Sequence, residues 1–297
     1  MKISVIIPAS KDCKIIALKS LSHQEKKIFE VIVVRGKNTS KNRNDGVKKS
    51  KGDIVVFVNA HCILPPDWYK NIFLFFEKYP KVDIVGGPQL TSEQEELFGR
   101  VSGTAFSSIF GAANVSKRYN GKRMKFNADE IDITSANLAC RKKVFEKIEF
   151  DENIYPGEDP KFIFDSKSEE FKVAYNPNII CYNKRRDSFL GLFRQIFNYG
   201  KVRPQKESFF ETLKNPLFFI PSLFFVGIFV ILFLSVLHSF NWILILDFYV
   251  ILNLIFSTYE SFKNKQLSYF FILPWIFLTI HISYGTGMIW GYLKKIK

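Results

Sequence analysis

Near residue 216 the chain changes solvent, and this constrains its fold more than any other feature. The segment Pro216 to Ser239, PLFFIPSLFFVGIFVILFLSVLHS, carries no charge. At about 1.5 Å per residue it is long enough to cross a hydrocarbon core of about 30 Å. A shorter apolar run covers 242–258, with Asp247 near its start, and a third covers 269–293 and contains Pro274, His281 and several glycines. A soluble fold would need a far larger polar envelope to hide three such runs. Residues 216–297 are therefore expected to form a membrane domain of about three transmembrane helices, 216–239, 242–258 and 269–293.

Orientation follows from the basic residues. Lys201, Arg203, Lys206 and Lys214 precede the first run, and Lys263 and Lys265 separate the second from the third. Both sets should face the cytoplasm, giving a multi-pass protein of the cell membrane whose preceding domain is cytoplasmic. The tail, with Lys294, Lys295 and Lys297, breaks that pattern. Either the span count is off by one or the last segment is partly re-entrant.

Residues 1–215 suffice for one α/β domain with its own core. The chain has 42 Lys and Arg against 28 Asp and Glu, a formal charge of +14. Beside a bilayer, that charge suits an anionic membrane surface or a phosphorylated, lipid-linked substrate. Nucleic acid is not an expected partner, because no aromatic platform interleaves with the basic residues. Cys13, Cys62, Cys140 and Cys181 have neither metal-like spacing nor a disulfide framework, and fit a reducing compartment. The opening MKISVIIPA is too short in its apolar run for a signal peptide and reads as a first strand.

The first hundred residues alternate strand and helix patterns. Strands are expected at 3–7, 29–34, 54–58 and 82–85, and helices at 14–26, 42–49 and 67–79. The run 54–58, IVVFV, is continuous and β-branched, as suits a parallel strand covered on both faces. The pattern is doubly wound and Rossmann-like, so ligands should gather outside the carboxyl ends of the strands. The loops to search are 8–12, 35–43, 59–64 and 86–90. Residues 93–127, rich in Gly, Ser and aromatic side chains, read as a mobile or interfacial insertion.

The run GDIVVFVNAHCILPPDW, preceded by NRNDGVKKSK and followed by VGGP, resembles the nucleotide-sugar half of family 2 glycosyltransferases with the A-type fold. SANLACRKKVFEKIEFDENIYPGEDPKF is similar to their acceptor-side half. Arg194 to Arg203 with apolar spans behind resembles the membrane-anchored subgroup that makes exopolysaccharide or surface glycans on lipid carriers. The resemblance implies an A-type domain with a mostly parallel sheet, a nucleotide-binding half at 1–92 and an acceptor-side half at 93–215.

It also implies site residues. Pro8, Asp12, Arg35, Arg43, Asn44, Asn59 and His61 fall on the donor side. The family holds the donor diphosphate through a divalent metal on an Asp-x-Asp at the end of the central strand, where this chain has Asn59, Ala60 and His61. Asn59 is a poor ligand, which leaves His61 as the implied ligand for Mn2+ or Mg2+, its imidazole favouring manganese. Arg35 stands where a carboxylate usually meets the base, so uridine specificity is not carried over. Asp159 is the implied general base of an inverting transfer, with Glu158 orienting it or binding the acceptor. Asn137 and Arg141 are expected near the sugar, and Arg194, Gln195, Tyr199 and Arg203 at the membrane entry, as acceptor or phosphate contacts.

The expected activity is transfer of a sugar from a nucleotide-sugar to a polyprenyl-linked or growing glycan acceptor. The other reading is a non-catalytic domain that binds a sugar nucleotide or lipid phosphate and scaffolds a glycan-assembly complex. Asn59 and Arg35 keep that reading open.

Overall fold

The computed structural model describes the whole chain except residues 122, 155, 207, 208, 214, 239, 296 and 297. Lys214, Lys297, Ser239 and the side chain of Lys206, all used in the topology argument, lie outside the described residues. The chain forms two compact units: Met1–Glu93 with Lys117–Lys184, and Gln94–Ser116 with Arg185–Lys297.

In chain order the elements are β1 (Ile3–Ala9), α1 (Ala17–Leu21), β2 (Glu30–Arg35), α2 (Thr39–Lys49), β3 (Ile54–Val58), β4 (Cys62–Ile63), α3 (Trp68–Lys78), β5 (Ile84–Gly86), β6 (Gln89–Leu90), α4 (Leu97–Ser107), α5 (Ile109–Ala112), β7 (Lys125–Phe126), β8 (Asn137–Arg141), α6 (Glu158–Ser168), β9 (Val173–Tyr175), β10 (Cys181–Asn183), α7 (Phe189–Lys206), α8 (Phe209–Leu213), α9 (Ile220–Leu237), α10 (Leu244–Lys263) and α11 (Leu273–Lys295).

The first unit holds a sheet in the order β2-β1-β3-β8-β5-β9-β7 and a small one in the order β4-β10-β6. β1 pairs in parallel with β2 and β3, with Val5 opposite Val31 and Val56. β8 runs against β3 and β5, and β7 against β9. The large sheet is therefore mixed, with β8 and β7 opposed to the other strands. Every residue of β1 and β3 is buried, as a strand packed on both faces requires. Alternation then sorts side chains between two cores. Ile3, Val5, Ile54 and Val56 pack with Trp68, Ile72 and Phe76 of α3. Ile6, Val55 and Phe57 pack with Leu138, Phe150 and Phe162.

Antiparallel β8 matters for position. Asn137 pairs with Val58 and Arg141 with Ile54. The residues just before β8 thus arrive at the edge where β3 ends, while Arg141 stands at the opposite edge.

The second unit is helical. Ile220–Leu237 and Asn241–Lys263, the latter including the turn leading into α10, are long and apolar enough to cross a membrane. The third expected span is the helix α11, which among the described residues does not join those two and buries Leu273, Ile276, Phe277, Ile280 and Met288. It packs along α7 with almost no side chain between: a Cβ on Gly287 would lie 2.1 Å from the Phe197 carbonyl oxygen, and one on Gly291 2.3 Å from that of Lys201. The expected boundary at 215/216 is thus not where the compact units part, because α7 belongs with the helices. The 93–127 insertion, expected to be mobile or interfacial, is partly helical. α4 and α5 are helices of this second unit, where Phe110 stacks on Phe256 at 4.8 Å and its carbonyl oxygen lies 2.8 Å from His281 Nε2.

Candidate active site

At the carboxyl edge of β1–β3 the loops are held by backbone carbonyls. Pro8 is buried in β1 opposite Val34. Arg35, the last residue of β2, donates from Nη1 to the carbonyl oxygens of Ser10, Lys11 and Cys13 at 3.1, 2.7 and 3.1 Å. The arginine in the place of a base-binding carboxylate therefore braces the loop that carries exposed Asp12. Across from it, Cys62 N donates to Asn59 O at 3.0 Å, making a tight turn, and Ile16 N and Ala17 N both donate to Ala60 O. These bonds tie the two loops together and leave exposed His61 with Nε2 3.6 Å from Cys13 Sγ.

The resemblance noted in the sequence implies a divalent metal at this turn. The donors present do not suit Mn2+ or Mg2+: Asn59-Ala60-His61 supplies no carboxylate, and among the described residues no three His, Cys, Asp or Glu side chains converge to hold an ion.

The acidic pair opens α6. Its first residue follows Gly157, whose φ of 126° only glycine adopts without strain. Glu158 and Asp159 occupy the first turn, where the helix dipole favours anions, and Pro160 follows in the same turn, where a missing N–H costs nothing. Arg43 of α2 closes the arrangement. Its Nη1 lies 2.9 Å from Glu158 Oε1 and 3.7 Å from Asp159 Oδ1, with the arginine side chain 3% exposed. Gly157 N donates to Glu158 Oε2 at 3.0 Å, and Ser135 Oγ donates to Asp159 Oδ1. Burial lifts the Glu158 carboxyl above its ordinary range; the neighbouring Asp159 adds to the rise and Arg43 opposes it. Asp159 differs from its neighbour in access, with 20% of its side chain exposed against 6%.

Other expected site residues have structural partners. Asn44 holds the backbone of Phe150, donating to its carbonyl at 2.9 Å and accepting from its N–H at 3.0 Å. Asn137 accepts from Trp68 Nε1 at 2.9 Å and donates to the Ile179 carbonyl at 2.6 Å. Arg141 donates to the Val82 carbonyl at 2.9 Å and stacks over Phe76, at the edge away from the acids. Two further acids upstream of β8, Asp129 and Asp132, which the sequence reading did not place in the site, are engaged by Lys125 at 3.5 and 2.5 Å. Arg194, Gln195, Tyr199 and Arg203 lie on α7 in the second unit, where Gln195 Nε2 donates to the Tyr199 hydroxyl at 2.9 Å and Arg203 sits over the Phe218 ring. Sequence reasoning missed Ser135, and it missed Arg43 as a partner of the acids. Ser135 opens the run SANLACR two residues before Asn137, and its place in that run is the signal that could have found it.

Several known proteins resemble this chain. Residues 18–149 match the model of glycosyl transferase family 2. A dolichyl N-acetyl-alpha-D-glucosaminyl phosphate 3-beta-D-2,3-diacetamido-2,3-dideoxy-beta-D-glucuronosyltransferase of Methanococcus voltae is 22% identical over 98% of this chain and 97% of its own length. The mannosyltransferase PcManGT of Pyrobaculum calidifontis, solved with GDP-Man and Mn2+, superposes with a TM-score of 0.67 at 12% identity over 99% of this chain and 88% of that one. S. aureus TarS 1-349 gives a TM-score of 0.45 at 14% identity over 68% of this chain, which spans 66% of that chain and 40% of the longer TarS structure. Most of the matched stretch lies on the unit that carries the mixed sheet, and there the chain is similar to family 2 glycosyltransferases of the A-type fold.

Proposed function

We propose that this glycosyltransferase moves one sugar, with inversion at the anomeric carbon, from a nucleotide-sugar donor to a polyprenyl-linked or growing glycan acceptor at a membrane. One observation carries the reading: Asp159 is a partly exposed carboxylate at a helix start, held from one side by Ser135 and Arg43. In the reaction, Asp159 takes the proton of the acceptor hydroxyl while that oxygen bonds to the anomeric carbon. The bond from that carbon to the diphosphate oxygen breaks, and the nucleoside diphosphate leaves with the electron pair. The exposed loop around Asp12, with basic Lys11, Arg35 and Lys37 beside it, is the donor side in this reading. No step is assigned to a metal.

The lipid-linked acceptor is supported by two features. Two helices are apolar enough to cross a bilayer. The Methanococcus voltae relative, similar along nearly its whole length, is named for a dolichyl-phosphate acceptor. Lys201, Arg203, Lys263 and Lys265 favour placing the sugar-transferring unit on the cytoplasmic side.

The test is incubation of the purified full chain with a panel of nucleotide-sugars and polyprenyl-phosphate-linked N-acetylglucosamine, scoring the glycolipid product and its anomeric configuration. An inverted glycolipid supports the proposal. Retained configuration would refute it. Donor binding with no transfer across the panel would assign the scaffold reading instead.

A further inference from the structure

The two oxygens of Asp159 are not equivalent. Ser135 Oγ donates to Oδ1, and Arg43 Nη1 stands 3.7 Å from that same atom. Both donors are fixed from behind. Ser135 is 1% exposed and sits just before β8, whose register against β3 is set by Asn137 opposite Val58 and Leu138 opposite Phe57. Arg43 is buried, lies over the Phe150 ring at 5.1 Å and is pinned by Glu158 at 2.9 Å. Phe150 is in turn stacked on Phe162 of α6 at 4.3 Å. Helix, strand and aromatic stack thus converge on one carboxylate oxygen, while the side chain as a whole keeps its 20% exposure.

We propose that Ser135 is the positioning residue of the transfer, and that Ser135 and Arg43 clamp Oδ1 of Asp159 so that Oδ2 is the oxygen that accepts the acceptor's proton. This rests on the reading of Asp159 as the base. A carboxylate free to turn about its Cα–Cβ and Cβ–Cγ bonds presents either oxygen in many directions, and a general base must lie within hydrogen-bond reach of the proton that it takes. A charge-assisted bond to one oxygen removes that freedom and leaves the other oxygen's lone pairs for substrate. Glu158 completes the device from the far side of Arg43. It fixes the guanidinium without touching Asp159, since its own second oxygen is taken by Gly157 N.

The experiment is steady-state kinetics of the full chain in detergent, on a nucleotide-sugar and lipid acceptor that it turns over, for Ser135→Ala and Ser135→Thr. Ser135→Ala should lower kcat about tenfold and leave both KM values within about twofold. Ser135→Thr, which restores a hydroxyl at the same atom, should recover most of kcat. A rise in either KM that matches the fall in kcat, or no rescue by threonine in a chain that melts at the unmodified temperature, would overturn the clamp. Asp159→Asn in the same assay separates the two claims. Full activity there sinks the general-base reading itself, whereas loss there with an unaffected Ser135→Ala sinks only the clamp.

Discussion

Arg43 and Glu158, 115 residues apart in sequence, form a buried ion pair with Nη1 2.9 Å from Oε1. Arg43, expected on the donor side, is the counter-ion of the acidic turn. Folding has therefore joined helix α2 to helix α6 through a buried pair of opposite charges.

Removing one partner of such a pair is the expensive change. Arg43→Met should strand Glu158 in an apolar setting and cost about 3–5 kcal/mol of stability. The double change Arg43→Met with Glu158→Met should recover most of it, since an apolar pair of similar volume replaces the ions. Denaturant unfolding followed by Trp68 fluorescence would measure both. A double variant no more stable than Arg43→Met would show that the pair is not what holds the helices together.

The raised carboxyl of Glu158 gives a pH prediction with a definite sign. Burial, then the nearby Asp159, lift its folded-state value above the ordinary one of 4.5, with Arg43 opposing. Between the unfolded and the folded value the native chain holds the proton that the unfolded chain has lost. Stability from this group is thus full below the unfolded value, is lost as pH rises through the folded one, and is level above it. Glu158→Gln cannot titrate, so the stability of the unmodified chain relative to it should fall as pH rises across that window. A difference that is flat with pH would mean that Glu158 is ionised throughout.

How much of this was legible in sequence depends on the range of the interaction. β1 and β3 were readable because a strand covered on both faces must be apolar throughout, a local demand. The reversal of β8 was not, since an antiparallel strand carries the same residues as a parallel one and its direction is set by the path of the connection. The helices α4 and α5 inside the 93–127 insertion were not legible, because small residues such as Gly99, Gly103 and Gly111 weaken a helix pattern. In the fold a Cβ on Gly111 would lie 2.1 Å from the Ala105 carbonyl oxygen, so close packing is what that glycine serves. Glu158 and Asp159 were visible from a turn whose glycine, acids and proline each have a local reason. The structural partners of Asn137 and Arg141 were not legible, because a buried polar side chain satisfied by carbonyls has the same letter as one that binds sugar.

Asp159 and Glu158 should separate in kinetics. Asp159→Asn keeps volume and the Ser135 contact but removes the base, so donor affinity should persist while turnover falls about 10²- to 10⁴-fold. Glu158→Gln should lower turnover less, because that side chain is 6% exposed and acts by holding Arg43. Equal losses at the two positions, with donor binding intact, would assign the proton transfer to the pair and not to Asp159.

Metal dependence should be unlike that of an enzyme with paired carboxylates. With Asn59 and His61 at the turn, Mg2+ should leave donor affinity within about twofold in titration calorimetry, since hard ions need oxygen ligands. Any effect of the softer Mn2+ should vanish in His61→Ala, whose fold is untouched because the residue lies on an exposed turn. Tightening by Mg2+ that survives His61→Ala would show that an ion is held by groups other than this turn.

A chain cut after Asn215 should not behave as a free-standing soluble domain, although composition alone places the boundary there. The cut keeps α7 but removes α11, which covers α7 so closely that Gly287 and Gly291 meet its backbone. It also removes Phe256, Phe277 and His281, which surround the ring of Phe110. Leu192, Ile196 and Val202 on α7, all buried in the full chain, would then face water together with Phe110. Burying a side chain of this size is worth about 1.5–3 kcal/mol, so several together give the cut chain a strong drive to associate. Light scattering without detergent should therefore find the 1–215 chain aggregated, and replacing Leu192, Ile196 and Val202 by Ser, Gln and Thr should raise its soluble yield. A monodisperse 1–215 chain that melts cooperatively without those changes would show that α7 finds its cover within the first 215 residues, and that the helical unit begins at α9.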